Sequence, residues 1–485
     1  TECSMLSAHS PFSFILFGAS GHLAKIKIYP ALYTLMLKGR LPAHFAIVGF
    51  ARSEMTEEAF RELVATAIKE DMIEVNETKL ADFLAHVHYH RGQYDNHLDF
   101  LALKKKLDLL EKGWSAVRLA YLSVPPTVFR PVLKNLCAGE VHDKKKEFRC
   151  IVEKPVGNDL TSFEDIKTAL TECFEDREIY LLDHYLGKEA IRNAYYLRLA
   201  NPVLERLLKN TLIHHVEITA AETAGIEGRA GYFEQAGTFR DMFQSHLLMM
   251  VSLLTMRVRE EESAIPESRY DALQQIYLPP ASDLHEIVLQ GQYVAGEAKG
   301  KPLPAYREEE GVASGSRTNT YAALKLLSRT ARWQGVPFYV RSGKRLRKKE
   351  TRISVQFQEP RKVGEGATPN RLDIILQGEA GMRLHLQTKV GGTEPKFRPL
   401  VMEDPLVCVG DCLPEHGLLL LEAIHGMKQW FLTFDEVRTS WRLIDPLQTY
   451  LGRITTPVHE YAAGSEGPAA ADEWIARDGM SWFGL

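Results

Sequence analysis

From Phe12 to Leu182 the chain alternates short, largely apolar runs with longer stretches in which apolar residues recur every three or four positions. The short runs are FSFILF (Phe12–Phe17), FAIVGF (Phe45–Phe50), VRLAYL (Val117–Leu122), FRCIVE (Phe148–Glu153) and IYLL (Ile179–Leu182). Segments such as EEAFRELVATAIKE and LALKKKLDLLEK lie between them and read as amphipathic helices. A strand without a polar face must be covered on both sides, so the alternation predicts a parallel sheet flanked by helices. Ligands of such sheets bind at the carboxyl ends of the strands.

The second part is patterned differently. An apolar helix runs through FRDMFQSHLLMMVSLLTM, and ISVQF (Ile353–Phe357), LDIILQ (Leu372–Gln377) and MRLHLQT (Met382–Thr388) follow without helices between them. Consecutive strands of this kind predict a large, mainly antiparallel sheet and an α+β domain. The boundary is placed near Asp183, giving an α/β domain over residues 1–183 and an α+β domain over 184–485. EEEGVASGSR (Glu308–Arg317) is polar and glycine-rich and reads as a surface loop.

A length of 485 residues is consistent with two or three domains. The net charge of −4 gives no reason to expect a nucleic-acid partner. No apolar run is long enough to span a bilayer, and TECSMLSAHSPF lacks the basic-then-apolar pattern of a signal peptide. Six scattered cysteines fit reduced thiols in a cytoplasmic protein. Cys408 and Cys412 have His416 nearby but no second ligand pair, so they read as structural thiols rather than a zinc site.

Chemistry concentrates after the first strand. Gly18, Gly21 and Ala24 recur at three-residue intervals in FGASGHLAKIKIYP, where an apolar run gives way to helical spacing. Such a loop brings bare backbone and a helix N-terminus to a phosphate, as in a Rossmann-like dinucleotide site. Lys25 and Lys27 follow on the helix. The second strand ends in GFARS, which puts Arg52 and Ser53 where an adenosine ribose would lie. An acidic residue there binds a 2′-hydroxyl, whereas an arginine suits a 2′-phosphate, so Arg52 favours NADP over NAD. Pro125 and Pro126 end a strand, either as a border to the dinucleotide or as a structural stop.

Further candidates cluster at later strand ends. Lys154 follows Glu153 at the end of FRCIVE, where it can reach a substrate hydroxyl or be a surface lysine. In LLDHYLGKEAIRN, a strand continuing through Asp183 and His184 would point those side chains to opposite faces. Asp183 would then need a partner other than its neighbour. A helix beginning there would put His184 and Lys188 on one face, which with Tyr185 makes a donor cluster suited to a phosphate monoester. A strand-end histidine beside a solvated lysine is the plainer reading. His246 lies within apolar FQSHLLMM, either as a satisfied core histidine or as a base. Pairing it with Asp183 gives a carboxylate–imidazole dyad. The run RSGKRLRKKETR (Arg341–Arg352) reads as a solvated face, a nucleic-acid patch or an anionic-substrate site presenting Lys344 and Lys349, and spacing does not choose among these.

Eight segments, in order, resemble those of the glucose-6-phosphate dehydrogenase family: GASGHLAKIKIYP, VGFARS, EKPVGNDL, DHYLGKE, EGRAGYFEQAG, RDMFQSHLL, GVPFYVRSGKRL and GSEGPAAADEW. The resemblance implies oxidation of the C1 hydroxyl of glucose 6-phosphate to the lactone, with hydride passing to a nicotinamide. It makes His246 the general base and Asp183 its partner. His184, Tyr185 and Lys188 would hold the 6-phosphate, and Lys154, Glu222, Asp241, Lys344 and Lys349 would orient the sugar. Gly18, Ser20, Gly21, Lys27, Arg52, Lys154 and Pro155 would serve the cofactor, NADP with NAD possible. It implies no metal and a homodimer formed through the second domain.

The chain departs from the family pattern at His22, Leu182, Ser245 and PEHGLLLL, where aspartate, arginine, asparagine and Tyr-Glu-Arg are usual. Two other readings stand beside the resemblance: another two-domain sugar oxidoreductase, or a nucleotide-binding relative without turnover. The phosphate cluster opposes the first, and the presence of both His246 and Asp183 opposes the second.

Overall fold

The computed structural model describes residues 10–360, 365–408 and 410–485. Residues 1–9, with Cys3 and most of the stretch read for a signal pattern, lie outside them. The chain divides into two compact units, Thr1–Lys188 with Cys408–Phe434, and Glu189–Val407 with Asp435–Leu485.

The first unit contains a six-stranded parallel sheet of β1 (Phe12–Phe17), β2 (Phe45–Ala51), β3 (Val87–Arg91), β4 (Val117–Leu122), β5 (Phe148–Glu153) and β6 (Ile179–Leu182). The strands are ordered 3-2-1-4-5-6, the doubly wound order whose switch point lies between β1 and β4. Every residue of β1, β2 and β4 is buried, which is why their runs are apolar throughout. β3 (VHYHR) has no continuous apolar run and is not expected from the pattern. It sits at the sheet edge and alternates buried with partly exposed positions, so His88, His90 and Arg91 hide it. The two expected helices are present as Glu57–Asp71 and His97–Leu110. Thr56 and Asn96 cap them by accepting from Ala59 N and Leu98 N.

The returning segment brings the helix Glu415–His425 into this unit. The Arg149 guanidinium donates to the carbonyl of Ala423 at 2.6 Å and to that of Ile424, satisfying acceptors that a helix end otherwise leaves open. Leu432 N donates to Leu181 O at 2.9 Å beside β6.

The second unit is built on a large mixed sheet. Its strands are β7 (Ile213–Ala221), β8 (Ile276–Tyr277), β9 (Val288–Val294), β12 (Tyr321–Ser328), β13 (Phe338–Gly343), β14 (Glu350–Phe357), β15 (Arg371–Gln377), β16 (Gly381–Lys389), β17 (Phe397–Pro405) and β18 (His459–Ala462). A two-stranded ribbon, β10 (Gly296–Ala298) with β11 (Lys301–Leu303), lies apart from it. The path is 17-16-15-14-7-13-12-9-18, with β8 on β12. Only β7–β13 and β9–β18 pair in parallel within it, so the sheet is mainly antiparallel, as expected. The three expected strands appear in β14, β15 and β16. The single apolar helix expected from FRDMFQSHLLMMVSLLTM is instead a π-helical segment, Phe239–Leu247, followed by an α-helix, Leu248–Thr255.

One further expectation is corrected. Cys137 is bonded to Cys173 and Cys408 to Cys412, with Cα atoms 6.0 Å apart in each pair, a separation a disulfide spans. The first pair is 36 residues apart in sequence and is brought together only by the fold, so composition could not show it. Among the described cysteines Cys150 alone is free, and burial pushes its thiol pKa up.

Candidate active site

In the first unit the glycine loop lies at the carboxyl end of β1. Gly18 has φ of +82°, and a Cβ there would strike the carbonyl of Ser123 at the end of β4. At Gly21 a Cβ would come within 2.9 Å of the Gly18 carbonyl, which accepts from Gly21 N at 2.8 Å. Only glycine fits these positions, and the turn leaves backbone uncovered by side chains. Helical turns begin at His22 and widen to a π segment at Ala24–Ile28 before the α-helix Tyr29–Leu37. Pro30 accounts for the widening: it cannot donate, and its ring crowds the carbonyl of Ile26.

Ser20 Oγ is 3.4 Å from Ser53 Oγ, which joins the loop to the end of β2. Arg52 is exposed there, with its guanidinium carbon 5.7 Å from the centre of the Tyr94 ring. Lys27 is exposed and 3.7 Å from Glu415. His22 is exposed as well.

At the end of β5, Glu153 precedes Lys154 and Pro155, whose peptide bond is cis. Buried Tyr121 donates its hydroxyl to the Glu153 carboxylate; burial and that carboxylate both push the phenol pKa up. His416 Nε2 lies 3.5 Å from the same carboxylate, and the His416 ring stacks on His184 with centroids 6.2 Å apart. His416 therefore supports the site from PEHGLLLL, a segment in which sequence considered it only as a zinc ligand. Its distance along the chain hid the connection.

Asp183 and His184 do not continue the strand, contrary to expectation. β6 ends at Leu182, and Asp183 instead caps a 3₁₀ turn, His184–Gly187, accepting from Tyr185 N at 2.9 Å. Three-residue spacing in that turn brings Lys188 over Tyr185, its Nζ 3.7 Å from the ring centre. His184 meets the same ring edge-on at 5.1 Å. The structure thus gathers His184, Tyr185 and Lys188, by a tighter turn than the helix considered above. Leu182 is buried in β6.

In the second unit Asp241, Ser245 and His246 lie on the π segment, which follows a break at Gly237 (φ +59°, ψ +169°). In an α-helix Asp241 and His246 would be roughly 140° apart around the axis. The wider turn brings positions five apart closer to one face, and such π segments occur frequently at functional sites. His246 and Ser245 are buried. Tyr232 donates to Asp241 Oδ1 at 3.1 Å, and burial, then the Asp241 charge, pushes the Tyr232 pKa up. Tyr232 lies in EGRAGYFEQAG, and nothing in its local pattern signals this contact. Lys344, buried at the end of β13, pairs with Glu222 at the end of β7. These strands run in parallel, so both side chains emerge at the same edge. Lys349 is exposed just before β14 and is not part of that pair.

Residues 15–193 match the family model for the NAD-binding domain of glucose-6-phosphate dehydrogenase, and residues 195–483 match that for its C-terminal domain. The chain belongs to the glucose-6-phosphate dehydrogenase family. It is 37% identical to the glucose-6-phosphate 1-dehydrogenase of Chlamydia pneumoniae over 97% of this chain and 96% of that protein. With the Bacillus subtilis enzyme it shares 34% identity, over 97% and 98%. A solved glucose-6-phosphate dehydrogenase in complex with its substrate glucose 6-phosphate superposes with a TM-score of 0.89 at 30% identity, covering 98% of this chain and 99% of that one. The doubly wound sheet and the large antiparallel sheet are the architecture of this family. Among the described residues no helix is long and apolar enough to cross a membrane.

Proposed function

We propose that this chain oxidises glucose 6-phosphate at C1 to 6-phosphoglucono-1,5-lactone, using NADP in preference to NAD. The full-length match to glucose-6-phosphate dehydrogenases carries this reading. The chain's own residues fit the dinucleotide. Gly18 and Gly21 leave backbone bare beside a helix start, and Arg52 stands exposed at the end of β2 as a partner for a 2′-phosphate. Ser20, Lys27, Lys154 and Pro155 complete the proposed cofactor side. When bound, the dinucleotide supplies the hydride acceptor.

His246 is the proposed general base, taking the proton of the C1 hydroxyl, with Asp183 stabilising the imidazolium that forms. His184, Tyr185 and Lys188 hold the 6-phosphate and supply remote binding energy that aligns C1. Lys154, Glu222, Asp241, Lys344 and Lys349 orient the sugar hydroxyls. Both substrates are phosphorylated anions that a bilayer excludes, which supports a cytoplasmic location.

A homodimer is supported by β17. It is an edge strand exposed along nearly its whole length and carries Leu400, Val401 and Met402. Light scattering should give twice the mass of the chain, and a monomer would remove this assignment.

The deciding experiment is the initial rate of nicotinamide reduction with glucose 6-phosphate or glucose, and with NADP or NAD. Turnover that requires the phosphate and is faster with NADP supports the whole reading. Faster turnover with NAD keeps the reaction and overturns the cofactor preference. Turnover with unphosphorylated sugar alone favours another sugar oxidoreductase.

A further inference from the structure

Away from these residues, the first unit holds a cluster that the dehydrogenase reaction does not use. Cys137 lies in the helix Phe129–Ala138, Cys173 just beyond the helix Leu160–Thr171, and His142 on the connection leading to β5. One ligand atom from each lies within 4.8 Å of the other two. Cys137 Sγ is 3.7 Å from His142 Nδ1. Zn–S and Zn–N bonds of about 2.3 and 2.1 Å at a tetrahedral angle put sulfur and nitrogen roughly 3.6 Å apart.

The histidine is already held as a ligand would be. Its Nε2 is 3.1 Å from Glu178 Oε1, and its ring lies edge-on to Phe148 and Phe174 at 5.0 and 5.1 Å. A carboxylate on the far nitrogen fixes the tautomer that leaves Nδ1 free for a metal, an arrangement common to zinc-bound histidines. His142 and Cys173 also line a cavity of about 770 Å³, which gives an ion a path in.

We propose that Cys137, His142 and Cys173 form a redox-controlled zinc site, with water in the fourth position and Glu178 supporting the histidine. In the bonded state seen here the sulfurs are closed to metal. A dithiol reductant opens them: the S–S bond breaks, two electrons and two protons pass to the sulfurs, and the dithiol leaves as its disulfide. Zinc binding then releases the two thiol protons as the thiolates ligate the ion.

The test uses the full chain, treated with chelator and reductant under anaerobic conditions and titrated with Zn²⁺ against a chromophoric chelator. One zinc per chain is expected, absent from Cys137→Ser and Cys173→Ser and retained in a Cys408→Ser/Cys412→Ser double variant. Glu178→Gln, which leaves all three ligands in place, should weaken binding by about 10–100-fold. A small-molecule disulfide, reduced to its thiols as the Cys137–Cys173 bond re-forms, should release the ion. Co²⁺ in place of zinc should give thiolate-to-metal charge-transfer absorption that the serine variants lack. A reduced, folded parent chain without stoichiometric zinc overturns the proposal. So does zinc that is indifferent to both serine substitutions. Neither result bears on the dehydrogenase reading, which the rate assay tests separately.

Discussion

The ammonium of Lys188 lies 3.7 Å from the centre of the Tyr185 ring, directly over an aromatic face that the 3₁₀ turn His184–Gly187 presents to it. The contact fixes a long, flexible cation before any anion arrives, so little side-chain entropy remains to be lost on binding. Lys188→Ala should raise KM for glucose 6-phosphate at least tenfold, about 1.4 kcal/mol, with KM for NADP unchanged. Tyr185→Phe keeps the ring under the ammonium and should cost less. A Lys188→Ala enzyme with unaltered sugar-phosphate KM would take this residue out of the phosphate site.

His246 is buried in the widened turn of the π segment, and Asp183 is buried at the cap of its 3₁₀ turn. His246→Asn preserves much of the side-chain volume but cannot serve as the base. It should lower kcat by about a hundredfold or more, with KM largely spared. Asp183→Asn can still accept from Tyr185 N, so the turn should survive while the negative charge is lost. Its kcat should fall without a change in thermal midpoint. Near-parental turnover in both variants would exclude the dyad.

Legibility followed burial. β1, β2 and β4 were readable because a strand covered on both faces contains almost nothing but apolar residues. Edge strand β3 was not, since its polar positions break the run. Gly18 was readable because its left-handed φ and the Ser123 carbonyl exclude a side chain. The π segments were hidden, because the spacing of apolar residues does not distinguish a widened turn from an α-helical one over so few residues. His416 and the Cys137–Cys173 pair were hidden for another reason: each depends on a contact between distant parts of the chain. The alternation across Asp183 and His184 was misleading for a simpler reason: β6 ends at Leu182, one residue before Asp183.

Arg52 is exposed beside Tyr94 at the end of β2, where a 2′-phosphate would find a planar fork of donors. Arg52→Ala should raise KM for NADP by tenfold or more and change KM for NAD by less than threefold. Arg52→Lys should fall between the two, since an ammonium keeps the charge but not the fork. Equal losses with both dinucleotides would remove the 2′-phosphate assignment.

Glu57 sits in the first turn of the helix Glu57–Asp71, 2.8 Å from Lys106 Nζ and 3.0 Å from Arg61 Nη2. Burial alone would raise its pKa, but the Lys106 hydrogen bond and the surrounding positive charge hold it at about 2, against an ordinary 4.5. The folded state therefore prefers the ionised form. Its contribution to stability is complete above pH 4.5 and is lost as the pH falls towards 2. Glu57→Gln should be less stable than the parent at neutral pH, and the gap should close across that acid window. Thermal midpoints of both chains against pH check this; a gap that stays constant would show that Glu57 ionisation is not what stabilises the helix start.

Arg269 and Glu436 are both completely buried in the second unit, joined by two hydrogen bonds of 2.8 and 3.1 Å between the helices Ile265–Gln274 and Phe434–Leu451. The attraction between buried charges is largely offset by the cost of removing both from water, so the pair need not be strongly stabilising in itself. Removing one partner is different, because the opposite charge is lost while the remaining charge stays buried. Glu436→Gln should destabilise the unit by about 3–5 kcal/mol, whereas replacing both by apolar residues of similar volume, as in Arg269→Met/Glu436→Leu, should cost far less or stabilise. Urea unfolding followed by tryptophan fluorescence reports on this region, since Trp441 is buried on the same helix as Glu436. If the double variant were as unstable as Glu436→Gln, the loss would come from disturbed packing and not from removing the carboxylate opposite a buried guanidinium.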